Sequence, residues 1–256
     1  IAKLPLAKDD VRLAGHAIEV RLYAESPEKN FLPQSGTVFE WEPATGKGVR
    51  VDHGIRSGQE ISPFYDPMMA KVIAHGRTRE EARRRLVRAL QETVLFGLPN
   101  NKDFLVALLS HPVFVNGETT TGFIPTHFAA DSAAMTEKQP SARLLALAAA
   151  LLYERSARQL APLVSGWDST GVYSKPLKLA IGEKETPVSL TARSASSYGV
   201  AIGDETIDLD IVSRDANRVR YAIGGVQASA VHAFDGANLH LEAGGGHPTP
   251  RGAAPG

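Results

Sequence analysis

Three side chains with chemistry of their own stand two residues apart near the start of the sequence: Glu19, Arg21 and Tyr23. Residues 17–23 alternate, with Ile18, Val20 and Leu22 on one face and these three on the other, the pattern of a half-buried strand. A carboxylate, a guanidinium and a phenol thus share the open face. The guanidinium is always charged and carries five donors in a planar fork, a match for a carboxylate, bicarbonate or an enolate oxygen. It is no general base, so its contribution would be electrostatic. The same residues also read as an ordinary solvated face with surface ion pairs, and periodicity by itself favours that reading.

The elements that must position this strand are short. Pro27, Pro33 and Gly36 turn the chain after it. Residues 37–42 alternate again, 43–48 form a turn, 49–52 a strand and 54–58 a loop. Residues 68–74 read as a strand running into Gly76. Thr78-Arg79-Glu80-Glu81 is a capping box, in which Glu81 should also reach back to the cap. Ala82, Leu86, Ala89, Leu90, Thr93 and Val94 follow at helical spacing until Gly97 and Pro99 stop the helix. Arg83, Arg84, Arg85 and Arg88 lie largely off that stripe; on one helix of a neutral chain they read as a solvated face, not a nucleic-acid site. Residues 101–109 make a second, shorter helix, and 123–128 lead out of the domain. Residues 129–140 carry little large apolar content and read as a linker.

The second half has a different character. Residues 141–153 form a strong helix with Ser141 or Gln139 near its cap, apolar nearly all round from Leu144 to Tyr153. It is too short to span a bilayer, so other elements must wrap it. Seven short strands follow, at 177–181, 187–192, 198–202, 206–212, 218–223, 226–233 and 238–242. Gly182, Gly203-Asp204, Gly224-Gly225 and Asp235-Gly236 punctuate them as hairpins. A closed antiparallel barrel around the helix would also remove sheet edges. The Gly/Pro/Ala-rich stretch after Gly244 has no periodicity and reads as disordered.

Composition narrows the classes. The 256 residues carry 28 basic and 28 acidic side chains, so nothing favours non-specific binding to nucleic acid or an anionic membrane. With no cysteine, disulfides, thiolate catalysis and Cys-based zinc sites are excluded. That composition fits a reducing compartment, and a cytoplasmic location is expected. No HExxH spacing or Gly-x-Ser-x-Gly elbow occurs, and Gly244-Gly245-Gly246 precedes Pro248 rather than a helix, so it is no phosphate loop. The chain opens on Ile1, which suggests a part of a longer polypeptide.

The run Gly15-His16-Ala17-Ile18-Glu19-Val20-Arg21-Leu22-Tyr23-Ala24-Glu25-Ser26-Pro27, with Phe31-Leu32-Pro33-Gln34-Ser35-Gly36, closely resembles the last part of biotin carboxylases of the ATP-grasp type. The resemblance continues through residues 62–71, from Ser62-Pro63-Phe64-Tyr65-Asp66-Pro67 to Lys71, and on to Thr121-Gly122-Phe123-Ile124. Residues 141–245 resemble, more weakly, the helix-in-barrel domain of some acyl-CoA carboxylase α subunits, with Gly166-Trp167-Asp168 at its start. The whole resembles the α subunit of a methylcrotonyl-CoA or geranyl-CoA carboxylase.

The resemblance implies an α+β architecture: a biotin carboxylase C-terminal lobe over residues 1–128, a linker over 129–140, a subunit-docking helix-in-barrel domain over 141–245, and a tail over 246–256 towards a biotin carrier domain. It implies that Arg21 stabilises the biotin enolate and positions bicarbonate. It implies that Tyr65 and Asp66 flank the biotin pocket, that Phe123 meets adenine, and that Arg50 makes a dimer contact in which Lys47 replaces an aromatic. Biotin on a carrier domain, ATP and Mg2+ are the implied cofactors, their sites mostly outside this chain. The implied partners are a carboxyltransferase β subunit, docked through the barrel, and the biotin carrier, in a hetero-oligomer without nucleic acid or membrane. Propionyl-CoA and acetyl-CoA are alternative substrates. The rival class is a non-catalytic adaptor with a protein-binding barrel.

Overall fold

The structure is a computed structural model; it describes residues 7, 11–129, 134–136, 139–160, 174–182 and 184–243. Parts of the expected linker, Gly166-Trp167-Asp168 and the 246–256 tail lie outside those residues. The chain divides into two units, Ile1–Thr136 and Glu137–Gly256.

The first unit is built on β1 (His16–Tyr23), which alternates as expected, with Leu22 fully buried and Glu19 and Arg21 exposed. Short pieces follow: β2 (Glu25–Ser26), a single 3-10 turn at Pro27–Lys29, β3 (Leu32–Pro33), β4 (Gly36–Thr37), β5 (Glu40–Glu42), β6 (Val49–His53) and β7 (Glu60–Ile61). The longest strand of this unit is β8 (Met68–Gly76), and it lies between β1 and β6 in an antiparallel sheet ordered β1-β8-β6. Val72 and Ala74 on its inner face join Leu86, Ala89 and Leu90 of α1 (Arg79–Glu92) in one core. Ile18 and Val20 pack against that core, while Leu22 enters a second one with Val38, Trp41, Met69 and Leu98. The inner face of β1 is thus held by two clusters, which fixes the register of its outer face.

The capping box of α1 forms in part. Thr78 Oγ1 accepts from the Glu81 amide at 3.2 Å. The Glu81 carboxylate, however, accepts from the Arg77 amide at 2.8 Å rather than closing on the cap itself. The helix also stops earlier than the spacing predicts. Thr93 Oγ1 donates to Ala89 O at 2.8 Å and accepts from Ala44 N at 3.2 Å, and the next three residues leave as β9 (Val94–Phe96), paired with β5. Pairing with a distant strand satisfies backbone groups that a longer helix would satisfy locally. Gly97 follows because a Cβ there would lie 2.2 Å from Thr37 O.

The arginine run is only partly a solvated face. Arg84 and Arg88 are exposed and meet Glu80 and Glu92. Arg83 is mostly buried and reaches Leu109 O at 3.1 Å, while Arg85 reaches His75 O at 2.7 Å. Arg79 ties Phe114 O and Val115 O. These guanidinium groups tie α1 to neighbouring backbone carbonyls. The unit closes with α2 (Lys102–Ser110), α3 (Pro112–Asn116) and α4 (Phe123–His127). The stretch expected to lead out of the domain is therefore a short helix.

In the second unit α5 (Ala142–Leu160) runs seven residues beyond the apolar stretch used to place it. The Leu144 amide donates to Ser141 Oγ at 3.3 Å, as a cap should. Seven antiparallel strands follow: β10 (Ser174–Ile181), β11 (Lys184–Ala192), β12 (Ser197–Ile202), β13 (Glu205–Arg214), β14 (Arg218–Ile223), β15 (Val226–Asp235) and β16 (Asn238–Ala243). Each pairs with the next, and β10 and β16 stand at the two ends of the order. The described ladder is open, where a closed barrel was expected.

The core nevertheless requires a curl. Leu144 to Leu151 are all buried, and they share one cluster with buried residues from every strand, from Leu179 on β10 to Leu241 on β16. Laid flat, seven strands would span about 30 Å, while a helix with side chains is about 10 Å across. One helix meets all seven only if the sheet bends over it. None of the helices among the described residues is long and apolar enough to cross a membrane.

Candidate functional site

The outer face of the β1-β8-β6 sheet is polar and ordered by register. Arg21 lies opposite Lys71, and Lys71 opposite Asp52; one row away, Glu19 lies opposite Ile73, and Ile73 opposite Arg50. Directly opposed residues share a face. Arg21 therefore stands on an edge strand with Lys71 as its inner neighbour.

The Arg21 side chain is 60% exposed, and its Nε is 3.9 Å from Glu19 Oε1. At that length and exposure the pair contributes little, and most of the guanidinium faces solvent. Hydrogen bonding to the Tyr23 side chain, then the negative charge that side chain gains once deprotonated, raises Arg21 above its already high pKa; Glu19 and Asp66 act in the same direction. The group is a permanent cation held among acceptors.

The loop into β8 approaches the exit of β1, since the Ala24 amide donates to Pro67 O at 2.9 Å. Asp66 Oδ1 accepts from the Met68 amide at 2.8 Å and so shapes that loop. Burial, then the charge of Asp66, raises the Glu25 carboxyl above its ordinary pKa. Phe64 and Tyr65, on the same loop, are 88% and 82% exposed. Two large aromatic side chains thus stand in solvent next to Asp66.

Arg21, Asp66 and the loop bearing Tyr65 are therefore neighbours. The other expected residues are placed elsewhere. Arg50 stands two strands from Arg21 on the same face, largely exposed, with its Nε 3.2 Å from Asp52 Oδ1. Phe123 is buried against His111, His127 and Phe128, and Phe104 joins the same cluster. Sequence reasoning passed over Lys71, Glu25 and Asn101. Lys71 could be found only from the strand register. Among the described residues no group of three or more His, Cys, Asp or Glu is placed to hold a metal ion.

The first unit thus presents an antiparallel sheet backed by α1, with a cationic edge and an exposed aromatic loop at one end. Residues 19–126 match the family described as Biotin carboxylase C-terminal domain. Biotin carboxylase 1 of Bacillus subtilis is 46% identical over 125 residues, covering 49% of this chain and 28% of that protein. The mitochondrial methylcrotonoyl-CoA carboxylase subunit alpha of Dictyostelium discoideum is 42% identical over 125 residues, 48% of this chain and 18% of its own length. A mitochondrial propionyl-CoA carboxylase alpha chain of Caenorhabditis elegans is 31% identical over 246 residues, 90% of this chain and 33% of its length, so this likeness runs through both units. A solved structure of Rhizobium etli pyruvate carboxylase matches at 36% identity and a TM-score of 0.50, covering 58% of this chain and 14% of that one. The chain spans about a fifth to a third of the length of these curated relatives.

Proposed function

We propose that this chain is part of the α subunit of a biotin-dependent acyl-CoA carboxylase, in which the first unit completes the biotin carboxylase site and the second docks the carboxyltransferase β subunit. The observation that carries the reading is the presentation of Arg21: an open guanidinium on a rigid strand, beside Tyr23 and Asp66, within the stretch that matches the biotin carboxylase C-terminal domain.

Biotin, when bound, would supply the ureido nitrogen that becomes carboxylated. Arg21 would hold the negative charge that develops on the ureido oxygen and orient bicarbonate through its planar fork. Because the cation stands on a rigid strand, no reorganisation is needed at the moment of reaction. The loop of Tyr65 and Asp66 would flank the pocket, with the exposed aromatics covering the ring and excluding water. ATP and Mg2+ would be held mainly by parts of the longer protein that this chain does not include. Phe123, packed in its own aromatic cluster, would offer adenine an apolar contact. Arg50, exposed on the same face, would serve a contact between two carboxylase lobes.

The curled sheet over α5 would be the docking unit, its edges closed by further chain or by the partner. The likeness of C. elegans propionyl-CoA carboxylase through both units supports this placement and keeps propionyl-CoA beside methylcrotonyl-CoA and geranyl-CoA as substrates. The test is to purify the complete polypeptide with its co-purifying partner and measure ATP-dependent fixation of labelled bicarbonate onto each acyl-CoA. Fixation onto one of them is expected. A complex that binds a partner but fixes no bicarbonate onto biotin or any acyl-CoA would favour the adaptor reading instead.

A further inference from the structure

Asn101 immediately precedes α2, where an asparagine ordinarily caps the helix through its side chain. It makes no such bond. The neighbouring Asn100 meets the first turn of α2 instead, its Oδ1 accepting from the Lys102 N–H at 3.1 Å. The side chain of Asn101 is turned to β1, about eighty residues earlier in the chain. Its Oδ1 accepts from the Tyr23 amide at 2.9 Å, and its Nδ2 donates to the Arg21 carbonyl at 3.3 Å. Its own amide donates to the Tyr23 carbonyl at 3.2 Å. The residue is buried, only 5% exposed.

The arrangement has a specific geometry. β1 is an edge strand, and the Arg21 carbonyl and both backbone groups of Tyr23 face its unpaired side. A carboxamide offers one acceptor and one donor at the spacing of a peptide group. Asn101 therefore stands in for the missing neighbouring strand at one place only, the two residues that flank Leu22. The β1-β8 ladder changes register between Leu22 and Tyr23, so the regular sheet stops holding the strand where Asn101 begins to.

We infer that Asn101 is a positioning residue for Arg21: it fixes the backbone at the end of β1 and so aims the guanidinium and the Tyr23 phenol into the carboxylation site. The inference rests on the role proposed above for Arg21. A side chain whose strand end is released moves by an ångström or so, enough to cost about tenfold to a hundredfold in rate.

The test uses the complete carboxylase with Asn101→Asp, Arg21→Ala and the double variant. Asp keeps the acceptor for Tyr23 but sets a carboxylate oxygen against the Arg21 carbonyl. Asn101→Asp is expected to lower kcat for biotin carboxylation about tenfold or more, with KM for ATP unchanged. It should cost little further in the Arg21→Ala background, because it acts through that side chain. If Arg21→Ala impairs carboxylation but Asn101→Asp does not, the positioning role is wrong and the role of Arg21 stands. If Asn101→Asp costs as much with Arg21 absent as present, Asn101 acts through general stability and the inference fails. If Arg21→Ala is itself without effect, the parent reading fails first. Should Asn101→Asp not fold, Asn101→Ser with Tyr23 amide exchange replaces it; exchange as slow as in the unaltered chain would overturn the inference.

Discussion

Glu154 on α5 and Arg214 on β13 form an ion pair, Oε2 to Nη1 at 2.7 Å, with side chains 12% and 14% exposed. Each is held by a further partner. The Tyr198 hydroxyl donates to Glu154 Oε1 at 3.1 Å, and Arg214 Nε donates to His232 Nε2 at 3.1 Å. Four polar side chains therefore lock the helix to three strands at the end where its apolar stripe has run out. Removing one member strands the rest. Glu154→Ala should destabilise the second unit by about 3–5 kcal/mol, read from amide exchange along α5. A cost below 1 kcal/mol would mean that the pair is dispensable.

The same network sets a pH dependence. Burial is the main force holding His232 below the ordinary imidazole pKa, and the Arg214 cation adds to it, while its own backbone hydrogen bond and Glu154 oppose it. The unfolded chain then binds a proton that the folded one refuses. Stability of this unit should fall as pH drops below about 6.5. His232→Gln should flatten that slope. In this unit the exposed Asp208 carboxylate, lowered chiefly by its hydrogen bond from Arg193, loses its contribution only at lower pH, below about 4. A slope unchanged in His232→Gln would assign it elsewhere.

At the alkaline end the sign reverses. Burial, then the Glu154 carboxylate, pushes the Tyr198 phenol well above its ordinary value. The unfolded chain loses that proton first, so stability should decline as pH rises past about 10. Tyr198→Phe should remove this decline, as followed by urea unfolding at pH 9 and above.

Much of this second unit is legible in the sequence. Gly182, Gly203, Gly224 and Gly236 sit at hairpin apices with positive φ, and period-two patterning between them marks each strand to within a few residues. The eight apolar residues from Leu144 mark a helix that must be wrapped. What is not legible is pairing across distance. Val94-Leu95-Phe96 continues the helical spacing of α1, and only the presence of β5 makes it a strand. The carbonyl partners of Arg79, Arg83 and Arg85 lie 10 to 36 residues away, so the run looks solvated in one dimension. Asn101 carries an ordinary cap signature, and the strand that claims its side chain is 78 to 80 residues distant.

The break between α1 and β9 can be tested by one side chain. Thr93 is fully buried, and its hydroxyl both accepts from Ala44 and donates to Ala89. Thr93→Val keeps the shape but leaves the Ala44 amide without a partner. A loss of about 1–3 kcal/mol is expected in urea unfolding of the first unit. No loss would show that water or a shifted loop satisfies that amide.

The central claim concerns the guanidinium at the end of β1. In the complete carboxylase, Arg21→Ala should lower biotin carboxylation by roughly 100-fold or more, with KM for ATP unchanged. Arg21→Lys should recover only part of the loss, since an ammonium lacks the planar fork. Carboxylation at the unaltered rate in Arg21→Ala would contradict the assignment of this face as a catalytic one.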